Sequence, residues 1–340
     1  MKTEIKKFGE GADLISVTNA AGVTMAFTNL GARVVDWKLP DGRNIVLGFE
    51  HAKEYLTKDS YPGATIGRTA GRIKEGVVEI SGRRVQLAQN EGAQTLHGGA
   101  DSFETKLWRY EIRDLSALTE IHFFLTDNDG ANGFPGKLEV EVIHSFDEEN
   151  NWTIDYIARS DKDTVFNPTG HVYFNLAGDA SQALDAHNLF VAASRFVPLK
   201  DTTEIVRGDI LAVTDGFDFR QPRQLSKAFL SADAQIKLVG GLDHPFLLDT
   251  IDVEKVQAQL SYQDLTVSVR TDRPSLVIFT ANFGDLGTIF RGNAITHHGA
   301  ITFEAQVAPG SQQIPELGDI SLKAGTTYRA TTRYTLEIKK

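Results

Sequence analysis

Histidine and glutamate at alternating positions of two strand-like runs are the groups of this chain best suited to moving protons. In Phe166-Asn-Pro-Thr-Gly-His-Val-Tyr-Phe-Asn-Leu176, the residues His171, Tyr173 and Asn175 alternate with Val172, Phe174 and Leu176. A period of two gives a strand one apolar and one polar face, which turns the imidazole toward a groove. The run Ile301-Thr-Phe-Glu-Ala-Gln306 repeats the arrangement, with Ile301, Phe303 and Ala305 inward and Thr302, Glu304 and Gln306 on the other side. If those polar faces meet, an acid and a base face one small ligand. An imidazole with an ordinary pKa of about 6.5 can donate and recover a proton near neutrality, and a carboxylate gains basicity where water is excluded.

Further candidates flank this pair. His97 precedes two glycines in Leu96-His-Gly-Gly99, which permits tight turns and close approach of a ligand, although a structural loop histidine is the competing role. Arg68 and Arg72 lie among small residues in Gly67-Arg-Thr-Ala-Gly-Arg-Ile73, where a guanidinium could span two hydroxyls or form an ordinary ion pair. Asp243 in Gly240-Gly-Leu-Asp-His-Pro-Phe246 could hold a ligand or cap a turn, and His244 beside it could do either as well. Phe279, in Leu276-Val-Ile-Phe-Thr280, could meet the apolar face of a ring or pack in a core. Tyr173 shares the side of His171 and supports it.

Other chemistries have little to stand on. Without cysteine there is no thiolate catalysis, disulfide or Cys-ligated metal. His297-His298 is a vicinal pair whose side chains would diverge on a strand, and no His-x-His or HExxH spacing occurs, so no metal is expected. No Gly-x-Gly-x-x-Gly opens a helix, no Walker loop is present and no Gly-x-Ser-x-Gly occurs, so neither a cofactor nor a serine nucleophile is expected.

These groups must be held by sheets. Leu138, Val140 and Val142 alternate with glutamates; Trp152, Ile154, Tyr156 and Ala158 line another run; Tyr328, Ala330, Thr332, Tyr334, Leu336 and Ile338 line the last. Such faces need a second sheet to cover them, which predicts an all-β protein, a large antiparallel β-sandwich with few short helices. Helical pattern is confined to Gln224 to Leu238, broken, and to a short stretch from Val253 to Leu260. No linker, repeat or charge block divides the 340 residues, so one domain over 1–340 is expected. A formal charge of -10 without a basic cluster disfavours nucleic acid and favours a small, neutral, hydrogen-bonding ligand. No membrane span or secretory signal is evident, which predicts a cytoplasmic protein. Exposed sheet edges could support a homodimer.

Together with Gly31-Ala-Arg33, Asn132-Gly-Phe-Pro-Gly136 and Phe303-Glu-Ala-Gln306, these segments make a sequence that resembles the aldose 1-epimerases, or galactose mutarotases, over most of its length. The resemblance implies a large β-sandwich with a ligand groove that interconverts the α and β anomers of free hexoses, galactose and glucose foremost, without a cofactor. It further implies that Glu304 is the base at the C1 hydroxyl and His171 the acid at the ring oxygen. His97 would stand beside the ring oxygen or anomeric centre, and Arg72 and Asp243 would hold sugar hydroxyls. Gly71 and Gly170 depart from the family pattern, in which many members carry Asn at both places, and this bears on sugar preference. Two other functions compete: a sugar-phosphate epimerase, which would need a compact set of cations beside the groove, and a carbohydrate-binding protein that holds sugar without converting it.

Overall fold

In the computed structural model, residues 1–201, 206–283 and 288–339 are described. The alternating runs become the long strands of a nine-stranded antiparallel sheet. Its first half is a meander: Arg109–Leu115, Leu118–Asp127, Leu138–Asp147 and Asn151–Ser160 lie side by side in chain order. The final strand, Thr327–Ile338, then enters beside Asn151–Ser160, and Leu265–Thr271, Ala258–Tyr262, Asn188–Val191 and Arg223–Gln224 complete the sheet. The C-terminal run therefore sits mid-sheet, bonded on both edges. Its apolar positions are buried from Ala330 to Leu336, whereas Ile338, expected on the same face, is exposed near the chain end.

Two further sheets face this one. Lys2–Gly9, Ala12–Thr18, Thr24–Thr28 and Arg33–Lys38 form an N-terminal meander. Trp37 on its last strand meets Trp152 edge to face, with ring centroids 5.9 Å apart. Leu211–Ala212, Ala193–Phe196, Asp243–Leu248, Ser275–Phe279 and Glu304–Gln306 form a five-stranded sheet in that order. One continuous core, running from Ile15 to Leu336, fills the space between the layers. Burying side chains such as Trp152 and Phe303 stabilises each by about 1.5–3 kcal/mol relative to exposure.

The helical expectations divide. Gln224 to Leu238 is indeed broken, into Leu225–Phe229 and Ala234–Val239, the second capped by Asp233, whose carboxylate accepts the Gln235 amide. Val253 to Leu260 is not helical: turns lead into the strand Ala258–Tyr262, which pairs with Leu265–Thr271. Val256, Ala258 and Leu260 also carry a period of two, and the neighbouring strand's open edge selects it over the helical alternative. None of the described helices is long and apolar enough to cross a membrane.

Candidate active site

The strand expected over 166–176 keeps its two faces but not its continuity. Thr169–Gly170 pairs with Thr65–Ile66, and Tyr173–Phe174 pairs with Ile301–Thr302. Between them the His171 amide donates to the Ala64 carbonyl at 2.9 Å, and the Gly63 amide donates to the His171 carbonyl at 2.8 Å. A buried backbone must find partners, and here they come from different segments instead of one neighbouring strand. The alternation survives because each piece stays extended. Val172, Phe174 and Leu176 enter the main core, while His171 and Tyr173 line a groove of about 430 Å³.

Three strands of the five-stranded sheet supply the facing wall. Asp243 and Phe279 are cross-strand neighbours, and Val277 pairs with Glu304. Leu276 and Ile278 point into the core while Val277 and Phe279 line the groove, so Phe279 is a half-buried wall residue that also packs against a smaller apolar cluster with Tyr173. Its ring lies 6.3 Å from that of Tyr173 in a T-shaped arrangement. Ile301, Phe303 and Ala305 pack inward, and the Tyr334 hydroxyl donates to the Phe303 carbonyl at 3.0 Å where the edge strand is interrupted.

The groove gathers His97, His171, Tyr173, Arg72, Asp243, Phe279 and Glu304, and leaves out Arg68 and His244. His171 Nε2 stands 3.5 Å from Glu304 Oε1, and both side chains are almost fully buried. The Phe279 amide donates to the Thr302 hydroxyl, which in turn donates to Glu304 Oε1 at 3.2 Å, so one carboxylate oxygen is aimed from the backbone. Burial raises the Glu304 carboxyl above its ordinary pKa, against smaller lowering effects from His171, Thr302 and Arg72. Desolvation outweighs the opposing charge of Arg72.

His97 is held in a positive-φ conformation (φ 50°) at the end of Thr95–Leu96. It pairs reciprocally with Gly71: the His97 amide donates to the Gly71 carbonyl at 3.1 Å, and the Gly71 amide donates to His97 Nδ1 at 3.2 Å. Burial, with His171 and Arg72 adding to it, keeps this imidazole well below its ordinary pKa. A neutral ring that accepts at Nδ1 carries its proton on Nε2, and His97 is thus a donor. Its ring meets that of His171 edge to face at 5.3 Å.

The Arg72 fork is oriented by Glu91, with Nε to Oε2 at 2.6 Å and Nη2 to Oε1 at 2.8 Å. Arg68 takes the ion-pair role instead. Buried away from the groove, it bonds Asp127 and the carbonyls of Pro135 and Gly136, tying its segment to the Asn132–Gly136 loop. His244 is likewise structural: its Nδ1 accepts the Asp243 amide, its Nε2 meets Gln235, and burial lowers its pKa to about 3.

Tyr61 was missed by sequence inspection. It stacks on His171 at 5.8 Å and touches His97 at 4.9 Å, bracing both imidazoles. Its neighbours Pro62 and Gly63 mark only a turn, so no periodicity exposes it. Among the described residues no group of three or more His, Asp or Glu could hold a metal ion, and His298 instead stacks on Phe229 at 3.6 Å.

Known proteins resemble this chain along most of its length. The sequence profile of the aldose 1-epimerase family matches residues 13–335. The galactose mutarotase of Sus scrofa is 33% identical over 300 residues, covering 87% of this chain and 84% of that protein. The aldose 1-epimerase of Escherichia coli (strain K12) is 32% identical over 337 residues, covering 96% and 95% respectively. Among solved structures, galactose 1-epimerase from Lactobacillus acidophilus NCFM superimposes with a TM-score of 0.91 at 31% identity over the whole of both chains.

Proposed function

Because the chain belongs to the aldose 1-epimerase family, we propose that it interconverts the α and β anomers of free hexoses, galactose and glucose foremost, by acid-base ring opening. The observation that carries this is the approach of His171 Nε2 to Glu304 Oε1, at 3.5 Å, inside a groove that also holds His97, Arg72 and Asp243. The C1 hydroxyl oxygen and the ring oxygen are bonded to the same carbon, so an acid and a base acting on them must stand close together.

Glu304 removes the C1 hydroxyl proton while His171 protonates the ring oxygen, and the bond between C1 and the ring oxygen breaks to leave an open aldehyde. Rotation about C1–C2 presents the other carbonyl face. Reclosure returns the ring-oxygen proton to His171 and the Glu304 proton to the new C1 hydroxyl, and both groups are restored. Each positioned proton transfer is worth roughly 10²–10⁴-fold. His97 donates from Nε2 to oxygen near the anomeric centre, Arg72 and Asp243 fix ring hydroxyls, and Phe279 with Tyr173 covers the apolar side of the ring.

Freshly dissolved α-galactose is the test. Purified, metal-free protein is expected to accelerate the loss of its excess optical rotation, and a rate equal to buffer would defeat the proposal. The carbohydrate-binding alternative predicts saturable sugar binding with no change in anomer exchange by NMR. The sugar-phosphate alternative loses Arg68, a cation it would draw on, to buried partners.

A further inference from the structure

Gln306 follows Glu304 by two residues on the same strand and faces the same groove, while Ala305 between them points into the core. The Gln306 side chain is fully buried, yet among the described residues neither its amide nitrogen nor its amide oxygen has a hydrogen-bond partner. Its backbone carbonyl is satisfied by the Ser275 hydroxyl at 2.7 Å, so only the side chain is left over. The other buried amides make the contrast. Asn29 bonds Asp13 and Trp108, Asn167 bonds Val307 at both ends, Asn175 holds three carbonyls, and Gln257 bonds Thr271 at both ends. Each of those amides has a structural task in the fold.

An amide withdrawn from water without partners is unfavourable, and proteins keep such groups where a ligand completes them. Successive same-face residues of a strand are separated by about 6.6–6.8 Å, comparable with the span of a pyranose. With Glu304 at the C1 hydroxyl, the next position on that face lies opposite hydroxyls farther round the ring. Gln306 can both donate and accept, which suits a hydroxyl that must do the same. Resting on the anomer-exchange function given above, we infer that Gln306 is a specificity-determining residue that hydrogen-bonds a sugar hydroxyl other than the one on C1. A site built to bond a hydroxyl rejects the analogue lacking it, because its own polar groups are then stranded.

The test pairs Gln306→Leu with the 2-, 3-, 4- and 6-deoxy analogues of galactose, following anomer exchange by NMR and sugar affinity by calorimetry. For galactose, the variant is expected to raise KM about tenfold with kcat changed less than about threefold. In the wild type one deoxy sugar should show a similar loss, and Gln306→Leu should weaken that sugar no further. Unchanged galactose affinity in the folded variant, or an equal loss across every deoxy sugar, would overturn the assignment. If Gln306→Leu does not fold, Gln306→Asn, which retracts the amide by one methylene, is expected to give the same pattern. A wild type that fails to accelerate anomer exchange would sink the proposed function separately, and the affinity pattern would still decide for or against Gln306.

Discussion

Glu304 has to be ionised at rest and protonated during turnover, and its burial decides the pH at which that is possible. Replacing it by the isosteric amide removes the base and little else. Glu304→Gln is therefore expected to lower turnover by at least about 10²-fold while sugar affinity, measured by calorimetry, changes little; full activity in that variant would exclude Glu304 from the chemistry. Desolvation raises this carboxyl above its ordinary value of 4.5, and protonating it removes the base. Activity should thus fall as pH drops through a value above 4.5, and a kcat profile that stays flat down to that pH would contradict the assignment. The types and alternation of His171 and Glu304 are legible in the sequence. Their environment is not, because burial and the Phe279 amide that orients the Thr302 hydroxyl come from other strands.

At the scale of elements, the loops are as exacting as the strands. Gly98 has a φ of 86°, and a Cβ there would lie 2.1 Å from the Gly67 carbonyl oxygen. Gly98→Ala should displace His97 and reduce activity well before it unfolds the protein, which thermal melts and polarimetry on one sample would separate. Glu104, in the turn Phe103–Thr105, has a buried Oε2 with no partner among the described residues and is raised by burial to a pKa of about 7. The unfolded chain releases this proton first, so stability present below about pH 4.5 is lost as pH rises to about 7, by roughly 3 kcal/mol. Glu104→Gln should flatten that part of the profile, seen as denaturation midpoints at pH 5 and 8 that differ less than in the wild type. The meander strands are legible from their period of two. The stretch 253–260 is not, since a short amphipathic run fits either period until a partner strand is present.

Across the whole molecule, the sheets carry the groove and a few buried polar ties set the position of its rim. Arg68→Ala would strand Asp127 and several carbonyls, and a loss of about 3–5 kcal/mol in urea unfolding is expected. At temperatures where the variant remains folded its turnover should fall far less than that of Glu304→Gln, because Arg68 holds the rim without lining the groove. The excess of 45 acidic over 35 basic residues, and the burial of Arg68, lead us to expect free hexose to be turned over faster than hexose 6-phosphate in one anomer-exchange assay; the reverse order would shift the substrate class.

By itself the sequence determined which groups could act, which face of each strand they occupy, and that sheets would hold them, because residue type and a period of two are local properties. Only the tertiary structure decided that Arg72 reaches the groove while Arg68 is buried away from it, that Tyr61 braces two imidazoles, that His97 is a neutral donor, and that the Gln306 amide is left without a partner among the described residues. Those outcomes depend on which distant segments share a buried volume and compete for its hydrogen bonds, and no spacing along the chain encodes that.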